Sequence, residues 1–232
     1  MCGLSCLAAT KDAPKDQIKQ RIQVTNTQRV DFQAGGTVRL KNSTGELTIE
    51  AWDQPAVEIT TIKSTKDDYA PSEHEKANHE LDRVRVTAER KGAELVITTD
   101  FPKQGAPPFS PLGGATKFDL DYHIKVPRDA ALVVDHNIGE VHVDGVTGDV
   151  HATALQGLIF LHLPEQAQYA IDAKSGIGRV KSDFEGTTTR RLLFGDRFVE
   201  SNGPHKLYLR IRFGDIIIFK TEQPQTPAPA KL

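Results

Sequence analysis

The sequence predicts an all-β fold, a stacked two-sheet β-solenoid or β-roll with one short helix near residues 73–82. A recurring Gly-acid-apolar-x-apolar phrase carries most of that prediction. It occurs as Gly45-Glu46-Leu47-Thr48-Ile49, Gly139-Glu140-Val141-His142-Val143, Gly148-Asp149-Val150-His151-Ala152 and Gly214-Asp215-Ile216-Ile217-Ile218, with looser copies at Gly157 and Gly178. Glycine reaches the positive φ of a tight turn, the acid stays in water, and the alternation sends every second side chain into a core. All six are therefore expected to be structural turn glycines. A second observation is spacing. The apolar pairs Leu132/Val134, Val141/Val143, Val150/Ala152, Ile159/Leu161, Tyr169/Ile171, Leu207/Leu209 and Ile216/Ile218, with Val180 beside Ser182, mostly follow one another at about nine or ten residues. Two such strand-plus-turn units make a coil of about 18–20 residues that is stable only when stacked on its neighbours. The third observation is that helical periodicity is confined to one place, where Ala77, Leu81 and Val84 follow the capping-box pattern Ser72-Glu73-His74-Glu75.

Taken from the N-terminus, Cys2 and Cys6 lie in an apolar stretch ending at Ala8-Ala9, and a charged run with Pro14 follows. Residues 1–20 therefore read as the remnant of an export signal plus a linker, with Cys6 as a conceivable lipid-anchor position after a poor Gly3-Leu4-Ser5 approach. No other cysteine exists, which excludes a disulfide framework for the body of the protein. The single domain is expected over 21–221. It opens with a strand through Ile22 and Val24, then strands around Val38–Leu40 and Leu47–Ile49, which flank the turn formers Asn42-Ser43-Thr44-Gly45. Ala56–Ile62 alternates and is rich in β-branched residues. Arg83–Glu89 and Glu94–Thr99 read as a hairpin through Arg90-Lys91-Gly92-Ala93, and the Pro- and Gly-rich stretch 102–114 as a long loop. Lys117–Val126 is a further strand, the rhythm loosens over 187–204, and the Pro-rich tail 222–232 is expected to be disordered.

The charge balance bounds function. With 29 Lys and Arg against 31 Asp and Glu, the net charge of −2 offers no basic excess for a nucleic-acid backbone. No stretch approaches the roughly 18–20 apolar residues of a transmembrane helix.

Two stretches resemble a known family. Val38–Asp53, centred on Asn42-Ser43-Thr44-Gly45-Glu46-Leu47, resembles the opening of the bacterial putative-adhesin domains of unknown function. So does Lys125-Val126-Pro127-Arg128-Asp129-Ala130-Ala131-Leu132 followed by Gly139–Val150. The resemblance implies a β-solenoid or flattened β-roll, exported and often lipid-anchored or membrane-tethered, with no generally assigned activity. Leu158-Ile159-Phe160-Leu161, which lacks the acid after glycine, and the irregular 187–204 segment depart from the pattern.

The residues point to no catalytic set, no cofactor and no metal site. His142 and His162 are about one coil apart and face outward, so their rings are expected to stack, with His136 and His151 nearby, but no helical His-x-x-x-His pair or cysteine completes a zinc set. His74 and His79 do not align on the short helix. Glu140, Asp144, Asp149, Asp172, Asp183 and Asp215 occur without the dense Gly-Gly-x-Gly-x-Asp repeats of calcium-binding rolls, and read as acids that keep strand ends solvated. Arg190-Arg191 with Arg197, and Arg210 with Arg212, form small basic clusters able to meet anionic glycans or lipid headgroups. Trp52 is expected to pack at the mouth of the first coil. The expected function is a non-enzymatic, exported adhesin-like protein of the cell envelope that meets an envelope protein or glycan through outward side-chain rows. His142, His162, Arg190 and Arg191 are the candidate surface contacts. A carbohydrate-active β-helix enzyme and an envelope-stress partner of a membrane sensor are the alternatives.

Overall fold

The computed structural model describes residues 19–101, 118–191 and 194–221. The export-signal remnant with Cys2 and Cys6, the 102–114 loop and the 222–232 tail lie outside the described residues. The chain forms β1 (Gln23–Asp31), β2 (Thr37–Trp52), β3 (Ala56–Thr65), α1 (His74–Asp82), β4 (Arg85–Lys91), β5 (Glu94–Asp100), β6 (Phe118–Pro127), β7 (Ala131–Asp144), β8 (Val150–Pro164), β9 (Tyr169–Ile177), β10 (Val180–Ser182), β11 (Thr187–Arg191), β12 (Phe194–Glu200) and β13 (His205–Thr221). The fold is mostly β with one short helix. The helix starts at His74 after a 3-10 turn at Pro71–Glu73. Ser72 does not cap it; instead the Glu73 carboxylate accepts the Ala70 N–H at 3.4 Å. Ala77 and Leu81 are its buried stripe. No described helix is long and apolar enough to cross a membrane.

Hydrogen bonding joins the strands into one 13-stranded sheet, where the sequence alone suggests two. The reason is that the strands run through their glycines. β7 carries both Leu132/Val134 and Val141/Val143, β8 both Val150/Ala152 and Ile159/Leu161, and β13 both Leu207/Leu209 and Ile216/Ile218. Each pair of apolar phrases is thus one long strand. The register from β7 to β8 advances by 18 residues, Leu132 facing Val150 and Val141 facing Ile159, which is the coil length that the spacing predicts.

A line of glycines crosses the sheet. Gly45 pairs with Gly139, Gly139 with Gly157 and Gly157 with Gly214 in register, and Gly178 lies against Gly214. All five have φ between 95° and 145°. A Cβ on any of Gly139, Gly157, Gly214 or Gly178 would stand within about 2 Å of the neighbouring glycine's carbonyl oxygen. Glycine is required here both by the backbone angle and by the approach of the next strand. Gly148 differs from its expected role. It has no positive φ and is needed because a Cβ would come 2.4 Å from the Ala130 carbonyl oxygen.

The inward set changes parity across this line. In β7 it runs Leu132, Val134, His136 and then Val141, Val143; in β13 it runs Leu207, Leu209, Ile211 and then Ile216, Ile218. Apart from His136, both sets belong to one continuous hydrophobic core with Leu40, Ile49, Ile59, Tyr122 and Leu161. Burying each such side chain contributes about 1.5–3 kcal/mol. Side chains also bond the backbone along the glycine line: the Ser175 hydroxyl donates to the Gly214 carbonyl at 2.7 Å and Thr44 to the Ile138 carbonyl at 3.0 Å.

Strand order departs from sequence order. β13 inserts between β8 and β9, parallel to both. Its long apolar run would be a liability on an edge, and the edge positions fall instead to polar strands such as β1 and β11. The irregular 187–204 segment is an antiparallel hairpin, β11–β12, laid on β9.

Candidate functional site

The glycine line divides the outward side of the sheet into two panels of different chemistry. Past the glycines, alternation turns every residue between two buried ones outward. Thr48 of β2, His142 of β7, Phe160 of β8 and Ile217 of β13 therefore share one row, because those strands are in register. The next row holds Asp144, His162 and Phe219. The two rows meet as a ring cluster. Phe160 lies 5.4 Å from His142, 4.6 Å from His162 and 5.3 Å from Phe219, and His162 stacks on Phe219 at 5.7 Å. His142 Nε2 is 2.9 Å from a Glu140 carboxylate oxygen. The rings are held by strand register rather than by loops, so their spacing is fixed by the backbone.

The expected stacking of His142 on His162 is not what forms. Register places Phe160 opposite His142, and Phe160 stands between the two imidazoles. Sequence spacing brings the right strands together, but a pairwise reading of histidines overlooks the phenylalanine between them. An alternation count over Leu158–Leu163 would have marked Phe160 as outward, and with it the centre of the cluster.

Beside these rings runs an acidic row, Asp121, Glu46 and Glu140, on adjacent strands β6, β2 and β7. Partial burial raises the Asp121 pKa, and the Glu46 and Asp119 charges add to the rise. Among the described residues, no three His, Cys, Asp or Glu side chains are grouped to hold a metal ion.

The panel before the glycine line is cationic. Asp172 of β9 accepts two hydrogen bonds from Arg197 at 3.0 Å and one from Arg210 Nη2 at 2.7 Å. The Arg197 hydrogen bonds, helped by Arg210, hold the Asp172 carboxyl below the usual carboxylate range against the opposing effect of its burial. The Arg210 guanidinium lies 3.8 Å from the Tyr208 ring centroid, and Tyr208 packs on His151 at 4.5 Å. Arg190 reaches Asp196 at 3.5 Å. The Arg191 side chain lies outside what is described.

Several acids read from the sequence serve neighbouring backbone. Asp149 accepts the Lys206 N–H, Asp215 the Arg179 N–H and Asp183 the Lys220 N–H, at 2.8, 2.7 and 3.4 Å. Trp52 is half-buried; its indole N–H donates to the Ala56 carbonyl at 2.8 Å and its ring carries Arg29 at 5.1 Å.

One buried histidine sits at the seam. His136 is 4% exposed, with Nδ1 3.0 Å from the Ser43 hydroxyl and Nε2 unpartnered. Burial pushes its pKa down to about 4; the carbonyls of Ile138 and Gly45, which favour the charged form, offset this only in part.

No protein-family model matches the sequence, and no curated protein is similar to it. Three solved structures are similar at low identity. A putative cell adhesion protein from Clostridium sporogenes is 11% identical, over 85% of this chain and 100% of that one, with a TM-score of 0.48. A putative adhesin from Parabacteroides merdae is 8% identical, over 68% and 63% of the two chains, with a TM-score of 0.31. A putative adhesin from Bacteroides fragilis is 11% identical, over 84% and 97%, with a TM-score of 0.23.

Proposed function

We propose that this is a non-enzymatic adhesin-like protein of the cell envelope or extracellular space, which binds a protein or glycan through the outward rows of its sheet. The carrying observation is the ring cluster of His142, Phe160, His162 and Phe219, set on three neighbouring strands in register. Phe219 is exposed and the other three rings are half-buried; rings held on a rigid backbone lose little entropy on binding and offer apolar faces to a sugar or a partner side chain. The engagement of Asp149, Asp183 and Asp215 by backbone N–H groups supports a structural rather than a catalytic use of the turn acids. Export is favoured by the apolar N-terminal stretch before Thr10.

The same reading takes the sheet to be wrapped as a flattened solenoid. Val38, Leu47, Val134, Val141, Leu209 and Ile216 are at most 1% exposed on both sides of the glycine line. A helix of nine residues is too short to cover both panels, so each panel is taken to cover the other.

The test is a binding screen of the full-length protein against glycan and envelope-protein arrays, repeated with Phe160→Ala/Phe219→Ala. Loss of about tenfold in affinity at unchanged melting temperature is expected for removal of a central aromatic anchor. Hydrolysis of any arrayed glycan, or binding indifferent to both rings, would refute the proposal.

A further inference from the structure

Among the described residues, five of the seven large hydrophobic side chains that stand exposed crowd along the glycine line. Ile138 is 37% exposed, Leu155 37%, Phe213 38%, Ile177 58% and Phe194 63%. Ile138, Phe213 and Ile177 each immediately precede a glycine of the line, and register sets Phe213 beside Ile177. Phe194 joins them because the following Gly195 lies against Gly178. The ridge is therefore strongest where β8, β13, β9 and β12 meet.

A depression of about 280 Å³ opens beside that end of the ridge. It is lined by Thr153, Lys174, Gly176, Arg210 and Arg212. The chain neighbours of these lining residues include the ridge side chains Ile177 and Phe213. Gly176 keeps the space open on the strand face that Lys174 shares. Lys174 and Arg212 have no ion-pair partner among the described residues, and the Arg212 guanidinium rests 5.4 Å from the Phe213 ring. Of the cations at this end, Arg197 and Arg210 are held by Asp172, whereas Lys174 and Arg212 line the depression with no carboxylate engaged among the described residues. The other acids nearby are engaged as well: Asp135 accepts from the Thr153 hydroxyl at 2.9 Å, Asp215 from the Arg179 N–H at 2.7 Å, and Asp196 lies 3.5 Å from Arg190.

Exposed rigid apolar side chains adjoining unpaired cations match the chemistry of an amphiphile whose anionic head adjoins its apolar tails. We infer that this end of the glycine line docks on an anionic phospholipid surface. Lys174, Arg210 and Arg212 take a headgroup phosphate in the depression, and Leu155, Ile177, Phe194 and Phe213 enter the headgroup–acyl boundary. Arg210 and Arg212 suit phosphate because guanidinium presents paired donors. A soluble polyanion would use the cations alone and leave the ridge without a role. The docking end lies on the other side of the glycine line from the ring cluster, so a docked molecule keeps its rings available and the two sites are tested separately.

The experiment is co-sedimentation of the full chain with phosphatidylcholine vesicles, with and without about 30% phosphatidylglycerol, across a salt series. Each cation near an anionic surface is worth about 1 kcal/mol, so Lys174→Ala/Arg212→Ala is expected to cut partitioning about thirtyfold. Ile177→Ser/Phe213→Ser is expected to weaken binding while leaving its salt dependence unchanged. Lys41→Ala/Lys76→Ala, which removes two exposed lysines away from the depression, serves as the control for net charge. Equal partitioning onto neutral vesicles, none onto anionic vesicles at low salt, or indifference to both double variants would overturn the inference. So would heparin or inorganic phosphate binding through the same cations without vesicle binding, which would assign the site to a free anion.

Discussion

The two panels on either side of the glycine line share β2, β7, β8 and β13 and the same alternation, yet they carry opposite surfaces. Before the line, Arg197, Arg210 and Lys174 lie side by side on β12, β13 and β9. After it, Asp121, Glu46 and Glu140 lie side by side on β6, β2 and β7, with rings in the adjoining row. Inside, the panels are alike, with Leu, Ile and Val lining one core. The contrast teaches that the core-facing pattern fixes the scaffold while leaving each outward row available for a separate chemistry. What couples the panels is the glycine line, because β2, β7, β8 and β13 each run across it.

Breaking the seam is expected to have the largest effect. Gly157→Ala puts a Cβ within about 2 Å of the Gly139 carbonyl oxygen at a φ of 131°. Strain at such an angle costs about 1–3 kcal/mol by itself. With the clash added, a total destabilisation on the order of 3–5 kcal/mol is expected. Chemical denaturation should show both panels losing structure together. Independent melting of one panel would disprove the coupling.

The next effect tests the seam by pH. His136 is buried, and its pKa is lowered from 6.5 to about 4. The unfolded chain therefore takes up this proton at a higher pH than the folded one. The stability associated with neutral His136 is full above about pH 6.5 and is lost as the pH falls toward 4, amounting to about 3 kcal/mol. Urea titrations from pH 7.5 to 4 should show this loss in the native protein and a shallower one in His136→Gln. Parallel curves would rule out His136 as the source.

The smallest effect sharpens the contrast between surfaces. Asp172→Asn removes the one carboxylate that holds Arg197 and Arg210. Because these groups are partly exposed, the expected stability loss is about 0.5–1 kcal/mol. The first panel gains positive charge, so partitioning onto anionic vesicles should rise a few-fold while binding at the rings stays constant. A fall in partitioning would mean that Asp172 holds the cations in their binding geometry.

Much of the scaffold was legible in the chain. Alternation marks Phe118–Val126 and Ala56–Ile62 as strands because inward and outward environments differ sharply there. The helix at His74–Asp82 was legible from Ala77 and Leu81, although its capping residue was not, since three adjacent polar residues compete for that role locally. Gly45, Gly139, Gly157, Gly178 and Gly214 were identifiable as positive-φ glycines, but the first three and Gly214 lie inside continuous strands rather than in turns, and their alignment in one line was not legible, because register is a relation between strands. The site was less legible. His142 and His162 were identifiable as outward residues, yet Phe160 between them was not singled out. The exposed corner positions Ile177 and Phe213 read as ordinary members of an apolar pattern until their neighbours are placed.

By itself the sequence determined which alternating side chains enter the core within each strand, where glycine must stand and the 18-residue step from β7 to β8, since those follow from local backbone angles and the two-residue period of a strand. Tertiary structure alone decided that β13 lies between β8 and β9, that the strands join in one sheet, and which outward residues become neighbours. Those outcomes depend on hydrogen bonds between segments far apart in the chain, whose partners no local pattern specifies.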